Sequence, residues 1–137
     1  MVNESSSPGA GCVVLADSHQ NMLEGTRGLL ETAFSAVVMV ANKASMFQAI
    51  DRMDPEILVV DLSLPMPEGD SVIQDLRKRY PDLKFIVLSL YDDPIAMERV
   101  MTDGASGYVL KRAIATDLLN AIDEIRLGHT FVSPLPK

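Results

Sequence analysis

The chain has 137 residues, of which 47% are hydrophobic and 23% charged, and its formal net charge at pH 7 is −7. This length and composition predict one globular domain with a single core, and they exclude an intrinsically disordered chain. The acidic balance argues against binding of nucleic acid by this chain alone, because phosphate backbones would repel it.

The first eleven residues are rich in Ser and Gly and contain no basic, apolar export signal. We interpret residues 1–11 as a flexible N-terminal tail. Cys12 is the single cysteine, which excludes a disulfide within the chain and is typical of a reducing compartment. Because no apolar run reaches the roughly 18 residues of a membrane span, the sequence predicts a cytoplasmic protein without membrane contact.

Five short apolar runs follow, and each is continuous and rich in β-branched residues. This pattern is typical of parallel strands that are buried on both faces of a sheet. The runs lie at residues 12–16, 37–41, 57–60, 85–88 and 108–110.

Segments with helical spacing of apolar residues alternate with these runs. The predicted stripes are Met22, Thr26, Leu29, Leu30, Ala33 and Phe34; Met46, Phe47, Ile50 and Met53; Val72, Ile73 and Leu76; and Leu118, Ile122 and Ile125. A further helix with a weaker pattern begins near Pro94, which fits a first helical turn. The order predicts an α/β fold, a (βα)5 doubly wound parallel sheet over residues 12–133, with a linker stub or tail at 134–137.

Polar side chains follow four of the apolar runs at the point where each run ends. Asp17 follows the first run, Asp61 the third, Ser89 the fourth and Lys111 the fifth. Ligands of open α/β sheets bind beyond the carboxyl ends of the strands, where the strand order reverses. A strand order of 2-1-3-4-5 makes strands 1 and 3 neighbours, so the two aspartates should lie close together.

This set of residue types suits phosphoryl transfer. Paired carboxylates favour Mg²⁺, and a carboxylate beside that ion can attack a phosphoryl group. A lysine can pair with the phosphate, and a serine hydroxyl can donate to it. Each residue alone is more often a turn, cap or surface residue, and we interpret His19 as a loop residue because no other His or Cys lies near it in sequence.

At these residues the chain resembles the receiver domains of two-component response regulators, the family of the chemotaxis regulator, with its flavodoxin-like fold. The resemblance covers about residues 12–133 and is most specific at residues 57–69, which are similar to the family's phosphoacceptor loop with Pro65 and Gly69. It implies that Asp61 is the phosphorylated residue. It also implies a Mg²⁺ site formed by Asp17, Asp61 and the backbone carbonyl of Ser63.

Residues 87–89 and 104–111 resemble the switch segments of the same family. The resemblance implies that Ser89 is the switch hydroxyl, Tyr108 the aromatic switch residue and Lys111 the phosphate-binding lysine. Phosphorylation is expected to move Ser89 toward the phosphoryl group and Tyr108 inward. The expected switch surface, and the expected face of a homodimer, comprises the fourth helix, fifth strand and fifth helix.

Residues 17–25 and 128–134 resemble the NarL/FixJ branch of the family. The resemblance implies a phosphorelay receiver that takes its phosphoryl group from a sensor histidine kinase and is not an enzyme beyond its own phosphorylation and dephosphorylation. Members usually control transcription through a LuxR-type effector domain, which these 137 residues do not include.

One residue departs from the family pattern. Two adjacent acidic residues normally follow the first strand, but here they are Asp17 and Ser18. The alternative function is therefore an atypical receiver that acts as a phosphate-independent protein-interaction module. A nucleotide- or flavin-binding enzyme is disfavoured because no glycine-rich phosphate loop follows the first strand.

Overall fold

The computed structural model describes residues 11–63 and 72–134, without the side chains of residues 20–23. In that part, six parallel strands form one sheet in the order β2-β1-β3-β4-β5-β6, with helices on both faces. The strands are β1 (Cys12–Ala16), β2 (Ala36–Val40), β3 (Ile57–Asp61), β4 (Phe85–Ser89), β5 (Gly107–Leu110) and β6 (Phe131–Val132). The helices are α1 (Gln20–Glu31), α2 (Lys43–Met53), α3 (Val72–Arg79), α4 (Pro94–Thr102) and α5 (Ile114–Arg126), with a short 3-10 helix at Lys111–Ala113.

The predicted doubly wound α/β fold and the strand order 2-1-3-4-5 are confirmed. The bounds differ slightly, because β2 begins and ends one residue before the predicted run, and β3 and β4 each continue through the polar residue that follows the run. No apolar run in the sequence predicts β6. This strand extends the sheet beyond β5, and the carbonyl of Tyr108 accepts a hydrogen bond from the backbone N–H of Ser133 at 2.8 Å.

Two hydrophobic clusters form the core, one on each face of the sheet. Alternate residues of β1 divide between them: Val14 packs with α2, α3 and α4, and Val13 packs with α1 and α5. Most residues of the predicted stripes lie in these clusters, but Thr26 and Met53 do not. Met46, Phe47, Ile50, Leu76, Leu118 and Ile122 are all buried. The side chain of Met22 lies outside the described part of the chain.

Helix α4 begins as its sequence predicts. Pro94 occupies the first turn, where its missing N–H costs no hydrogen bond, and the side chain of Asp93 caps the helix by accepting from the N–H of Ile95 at 3.1 Å. No helix in residues 11–63 and 72–134 combines the length and the apolar character that crossing a membrane requires.

Arg126, the last residue of α5, joins three parts of the chain at the amino-terminal edge of the sheet. Its guanidinium group donates two hydrogen bonds to the carboxylate of Glu56, each 3.0 Å long, and one to the carbonyl of Ala33 at 2.9 Å. It also lies 4.5 Å above the centre of the Phe34 ring. Paired hydrogen bonds and ring stacking both suit a planar guanidinium, so this contact holds α5 against the end of α1 and the start of β3.

Candidate functional site at the carboxyl edge of the sheet

The parallel strands bring their polar end residues together at one edge of the sheet. Asp61 is the last residue of β3 and Ser89 the last of β4, whereas Asp17 and Lys111 directly follow β1 and β5. The two aspartates are only 2% and 1% exposed, and Lys111 is 8% exposed. Four residues that are distant in sequence are therefore buried at the same edge, as the sequence predicts.

Lys111 holds the two buried carboxylates together. Its Nζ lies 3.0 Å from Oδ2 of Asp61 and 3.4 Å from Oδ2 of Asp17. A buried carboxylate requires a charge partner or several hydrogen bonds, because burial removes its hydration. One ammonium group serves both aspartates here.

Asp61 accepts further hydrogen bonds from Ser63. The backbone N–H of Ser63 donates to Oδ1 at 3.0 Å, and its hydroxyl donates to Oδ2 at 2.9 Å. Burial alone would raise the pKa of Asp61, but the hydrogen bonds from Ser63 and the charge of Lys111 outweigh it and hold this pKa below the usual 3.8. Asp61 is therefore a carboxylate at neutral pH, and an ionised carboxylate can act as a nucleophile.

His19 also lies at this edge, in contact with both aspartates. Its Nδ1 is 3.0 Å from Oδ1 of Asp17 and 3.2 Å from Oδ2 of Asp61. His19 lies in the loop between β1 and α1, as predicted, and its contact with both aspartates is an addition to that prediction. Asp17, His19 and Asp61 each offer a ligand atom within 4.8 Å of the others, and such a set could hold one metal ion.

A spacing in the sequence could have identified His19. It lies two residues after Asp17, and its backbone N–H donates to Oδ1 of that aspartate at 2.8 Å. Ser63 lies two residues after Asp61 and makes the same backbone contact. In both cases the aspartate accepts from the N–H two residues on, which folds the chain back, and in this structure the side chain of that second residue contacts the site.

Ser89 faces a small cleft beside Asp61. The cleft has a volume of about 90 Å³ and is lined by Asp61, Leu62, Ser63, Ser89, Leu90 and Tyr91. The Ser89 hydroxyl accepts a hydrogen bond from the N–H of Tyr91 at 3.0 Å. Ser89 is therefore placed next to Asp61 across this space, while its own hydrogen bond is to the following loop.

Tyr108 is fully buried, and its hydroxyl donates to the carbonyl of Tyr91 at 2.7 Å. Burial raises the pKa of Tyr108, so its hydroxyl is a donor at neutral pH. An inward movement of this ring on phosphorylation stays a prediction; in this structure the ring is buried. Ser89 and Tyr108 thus both bind the backbone of Tyr91, one at its N–H and the other at its carbonyl.

The remaining predicted features are Ser18 and the loop after Asp61. Ser18 is exposed to solvent, so the residue that departs from the family pattern lies at the rim of the site. Pro65 and Gly69, which mark the loop after Asp61 in the sequence, lie outside the described residues.

Comparison with known proteins finds related sequences and structures. Residues 13–123 match the sequence profile of the response regulator receiver domain. The transcriptional regulatory protein DegU of Brevibacillus brevis is 32% identical over 124 residues, which are 89% of this chain and 52% of that protein. The oxygen regulatory protein NreC of Staphylococcus carnosus is 29% identical over 125 residues, or 58% of its length. The chain thus spans about half the length of the curated relatives that it matches.

Solved structures show the same fold. The RcsB response regulator of Salmonella typhimurium, in a structure described as showing conformational dynamism for DNA interaction, superposes with a TM-score of 0.82 at 29% identity, over 92% of this chain and 64% of that one. The isolated receiver domain of RcsB from Salmonella enterica serovar Typhimurium, with the phosphomimetic BeF3−, superposes with a TM-score of 0.79 at 26% identity. That match covers 89% of this chain and 92% of the other.

Proposed function

This chain belongs to the response regulator receiver family, and from that premise we propose that Asp61 accepts a phosphoryl group from a sensor histidine kinase. The observation that carries the proposal is the state of Asp61. It is an ionised carboxylate at the end of β3, held by Lys111 on one side and open to a cleft on the other. We assign the receiver domain to residues 12–133.

The transfer breaks the bond between phosphorus and a histidine nitrogen of the kinase and forms one between phosphorus and a carboxylate oxygen of Asp61. The cleft beside Asp61 offers space for the phosphoryl group, where the Ser89 hydroxyl can donate to it and the Lys111 ammonium can pair with its charge. Asp17, Asp61 and the carbonyl of Ser63 would hold Mg²⁺, which generally binds receiver domains and neutralises charge on the transferred oxygens. The chemistry is confined to the protein's own aspartate, so the domain is a signalling switch and not an enzyme that acts on other substrates.

The contacts around Tyr91 support a route from the phosphoryl group to the surface. The Ser89 hydroxyl accepts from the N–H of Tyr91 and still has its own proton to donate to the phosphoryl group, so a movement of Ser89 toward that group would alter one of the two bonds that hold the backbone of Tyr91. Leu90, Tyr91 and Ile95 are large hydrophobic residues exposed on the adjoining surface. The added charge of roughly −1.5 to −2 would thus change the conformation of this loop and shift an existing equilibrium.

We propose that the partner surface comprises α4, β5 and α5, and that a second copy of the chain binds there. The exposed hydrophobic residues beside α4 support this, since such patches mark interaction sites. The names of the relatives support a role of the whole protein in transcriptional control, through an effector domain such as the LuxR-type module. The receiver itself carries net negative charge, and we expect it not to bind DNA.

Intact-mass spectrometry tests the acceptor assignment. The chain is incubated with acetyl phosphate and Mg²⁺, and we expect a mass gain of one phosphoryl group that Asp61→Asn abolishes. Asp123→Asn is the matched control, because Asp123 is exposed on α5 and the substitution makes the same change in charge. If Asp61→Asn gains the phosphoryl group as fast as wild type, the acceptor is another residue.

The phosphate-independent interaction module is the second candidate function. Ser18 favours it, because an exposed hydroxyl stands where a third carboxylate would strengthen cation binding. No mass gain in the wild-type chain, combined with retained self-association, would make this the better description.

A further inference from the structure

We propose that Nδ1 of His19 is a metal ligand in this chain. The site consequently prefers a transition-metal ion such as Mn²⁺ or Zn²⁺ over Mg²⁺ more strongly than a site with two carboxylates alone would. The inference concerns the identity of the ion at the proposed phosphorylation site. It depends on the proposed function only for the biological use of that ion, because binding of the metal requires no phosphoryl group.

The distances suit a single ion. In an octahedral shell with bonds of about 2.1 Å, neighbouring ligand atoms lie about 3.0 Å apart. Nδ1 of His19 lies 3.0 Å from Oδ1 of Asp17 and 3.2 Å from Oδ2 of Asp61. Lys111 Nζ and the Ser63 hydroxyl contact the same Oδ2 of Asp61, at 3.0 Å and 2.9 Å, so an ion that binds these three atoms must displace one of those contacts.

The two carboxylate oxygens of Asp17 contact different neighbours. Lys111 contacts Oδ2 of Asp17, whereas His19 contacts Oδ1. The imidazole thus lies where a cation can reach a carboxylate oxygen that the ammonium group does not contact. The His19 side chain is 56% exposed, so its ring can turn to admit an ion from solvent.

The charge of the site explains why a nitrogen ligand would matter here. Two carboxylates and the Lys111 ammonium leave a net charge of about −1, because Ser18 supplies no carboxylate. Mg²⁺ prefers oxygen ligands and gains little from an imidazole. Divalent ions of the first transition row bind imidazole more strongly than Mg²⁺ does, Zn²⁺ more strongly than Mn²⁺, so His19 should shift the preference toward them.

Pulsed electron paramagnetic resonance with Mn²⁺ tests the proposal directly. We expect the whole chain with bound Mn²⁺ to show nuclear modulation from a directly bound imidazole nitrogen, and the pattern should change when histidine is labelled with ¹⁵N. The modulation should disappear in His19→Gln and persist in His129→Gln. His129 is the matched control because it is the only other histidine, is exposed on the surface and contacts Glu124 instead.

A competition titration of Mn²⁺ against Mg²⁺ gives a second readout. Since Gln replaces the nitrogen ligand by an amide oxygen, His19→Gln should lower the ratio of Mn²⁺ to Mg²⁺ affinity by about tenfold. Absence of histidine coupling in wild type, its persistence in His19→Gln, or an unchanged affinity ratio would each overturn the proposal. Coupling from His19 in a chain that accepts no phosphoryl group would support the metal ligand while refuting the proposed function.

Discussion

Replacement of Lys111 by methionine removes the ammonium group that lies between two buried carboxylates while keeping most of the side-chain volume. The lost contacts are 3.0 Å and 3.4 Å long, and all three residues are at least nine-tenths buried. Removal of one partner from a buried ion pair costs about 3 to 5 kcal/mol, because the remaining charge has no compensation. With two carboxylates left to repel each other, we expect a cost toward the upper end of that range.

Thermal unfolding at pH 7 in metal-free buffer measures this cost. For a domain of this size, about 1 kcal/mol corresponds to about 3 to 5 °C, so the midpoint of Lys111→Met should lie at least about 10 °C below wild type. Lys84→Met is the matched control, since Lys84 is exposed at the opposite edge of the sheet and the charge change is the same. We expect its midpoint to stay within about 2 °C of wild type.

The same substitution should strengthen metal binding. The ammonium group and a divalent cation bind the same aspartates, so its removal leaves a more negative site and should lower the Mg²⁺ concentration needed for half-saturation. Mg²⁺ should accordingly restore part of the lost stability, because a ligand that binds only the folded state raises the free energy of unfolding. If Lys111→Met is as stable as Lys84→Met, or if it binds Mg²⁺ more weakly than wild type, Lys111 does not hold the two carboxylates in the way described.

Three further predictions concern the site. Tyr108→Phe should lower the free energy of unfolding by about 1 kcal/mol in urea titrations, because the carbonyl of Tyr91 loses a buried donor, whereas Tyr80→Phe loses a more exposed hydrogen bond and should cost less. Ser18→Asp should lower the Mg²⁺ requirement for acyl-phosphate formation about fivefold, since one more charge at the rim adds about 1 kcal/mol of attraction; an unchanged requirement would refute the role of this position. The pKa of Asp61 is lower in the folded than in the unfolded chain, where it is about 3.9, so the ionised carboxylate stabilises the fold at a pH above 3.9. This stabilisation is lost as the pH falls through the folded pKa. Between pH 5 and pH 2 wild type should therefore lose more thermal stability than Asp61→Asn.

The sheet and the buried end residues could be predicted from the sequence because their signals are local. Strands buried on both faces require continuous apolar runs, and the residue that ends each run reaches the carboxyl edge whatever the details of packing. This rule, together with the strand order 2-1-3-4-5, predicts that Asp17, Asp61 and Lys111 lie close together. Their roles as phosphoacceptor, metal ligand and phosphate-binding residue stay predictions.

The features that were missed depend on contacts between distant parts of the chain. Strand β6 has two residues, too few for a hydrophobic pattern, and it forms beside β5, where Ser133 binds both the N–H of Leu110 and the carboxylate of Asp117. His19 reaches Asp61 across 42 residues, through a turn whose geometry no apolar pattern encodes. The burial of Tyr108 is predicted, but its hydrogen bond to the carbonyl of Tyr91, 17 residues earlier, likewise has no local signal.

The contact of Arg126 with Glu56, Ala33 and Phe34 has a consequence for amide hydrogen exchange. It joins three elements at the edge of the sheet opposite to the acidic site. Local opening there would have to break the two hydrogen bonds from Arg126 to Glu56 and the stacking of Arg126 on Phe34 at the same time. Regions of high local stability exchange their amide protons only through larger openings of the structure. The N–H groups of Phe34 and Glu56, which bind the carbonyls of Leu30 and Cys12, should therefore exchange more slowly than that of Tyr91. One end of the domain would then act as the stationary frame against which the loop around Tyr91 moves.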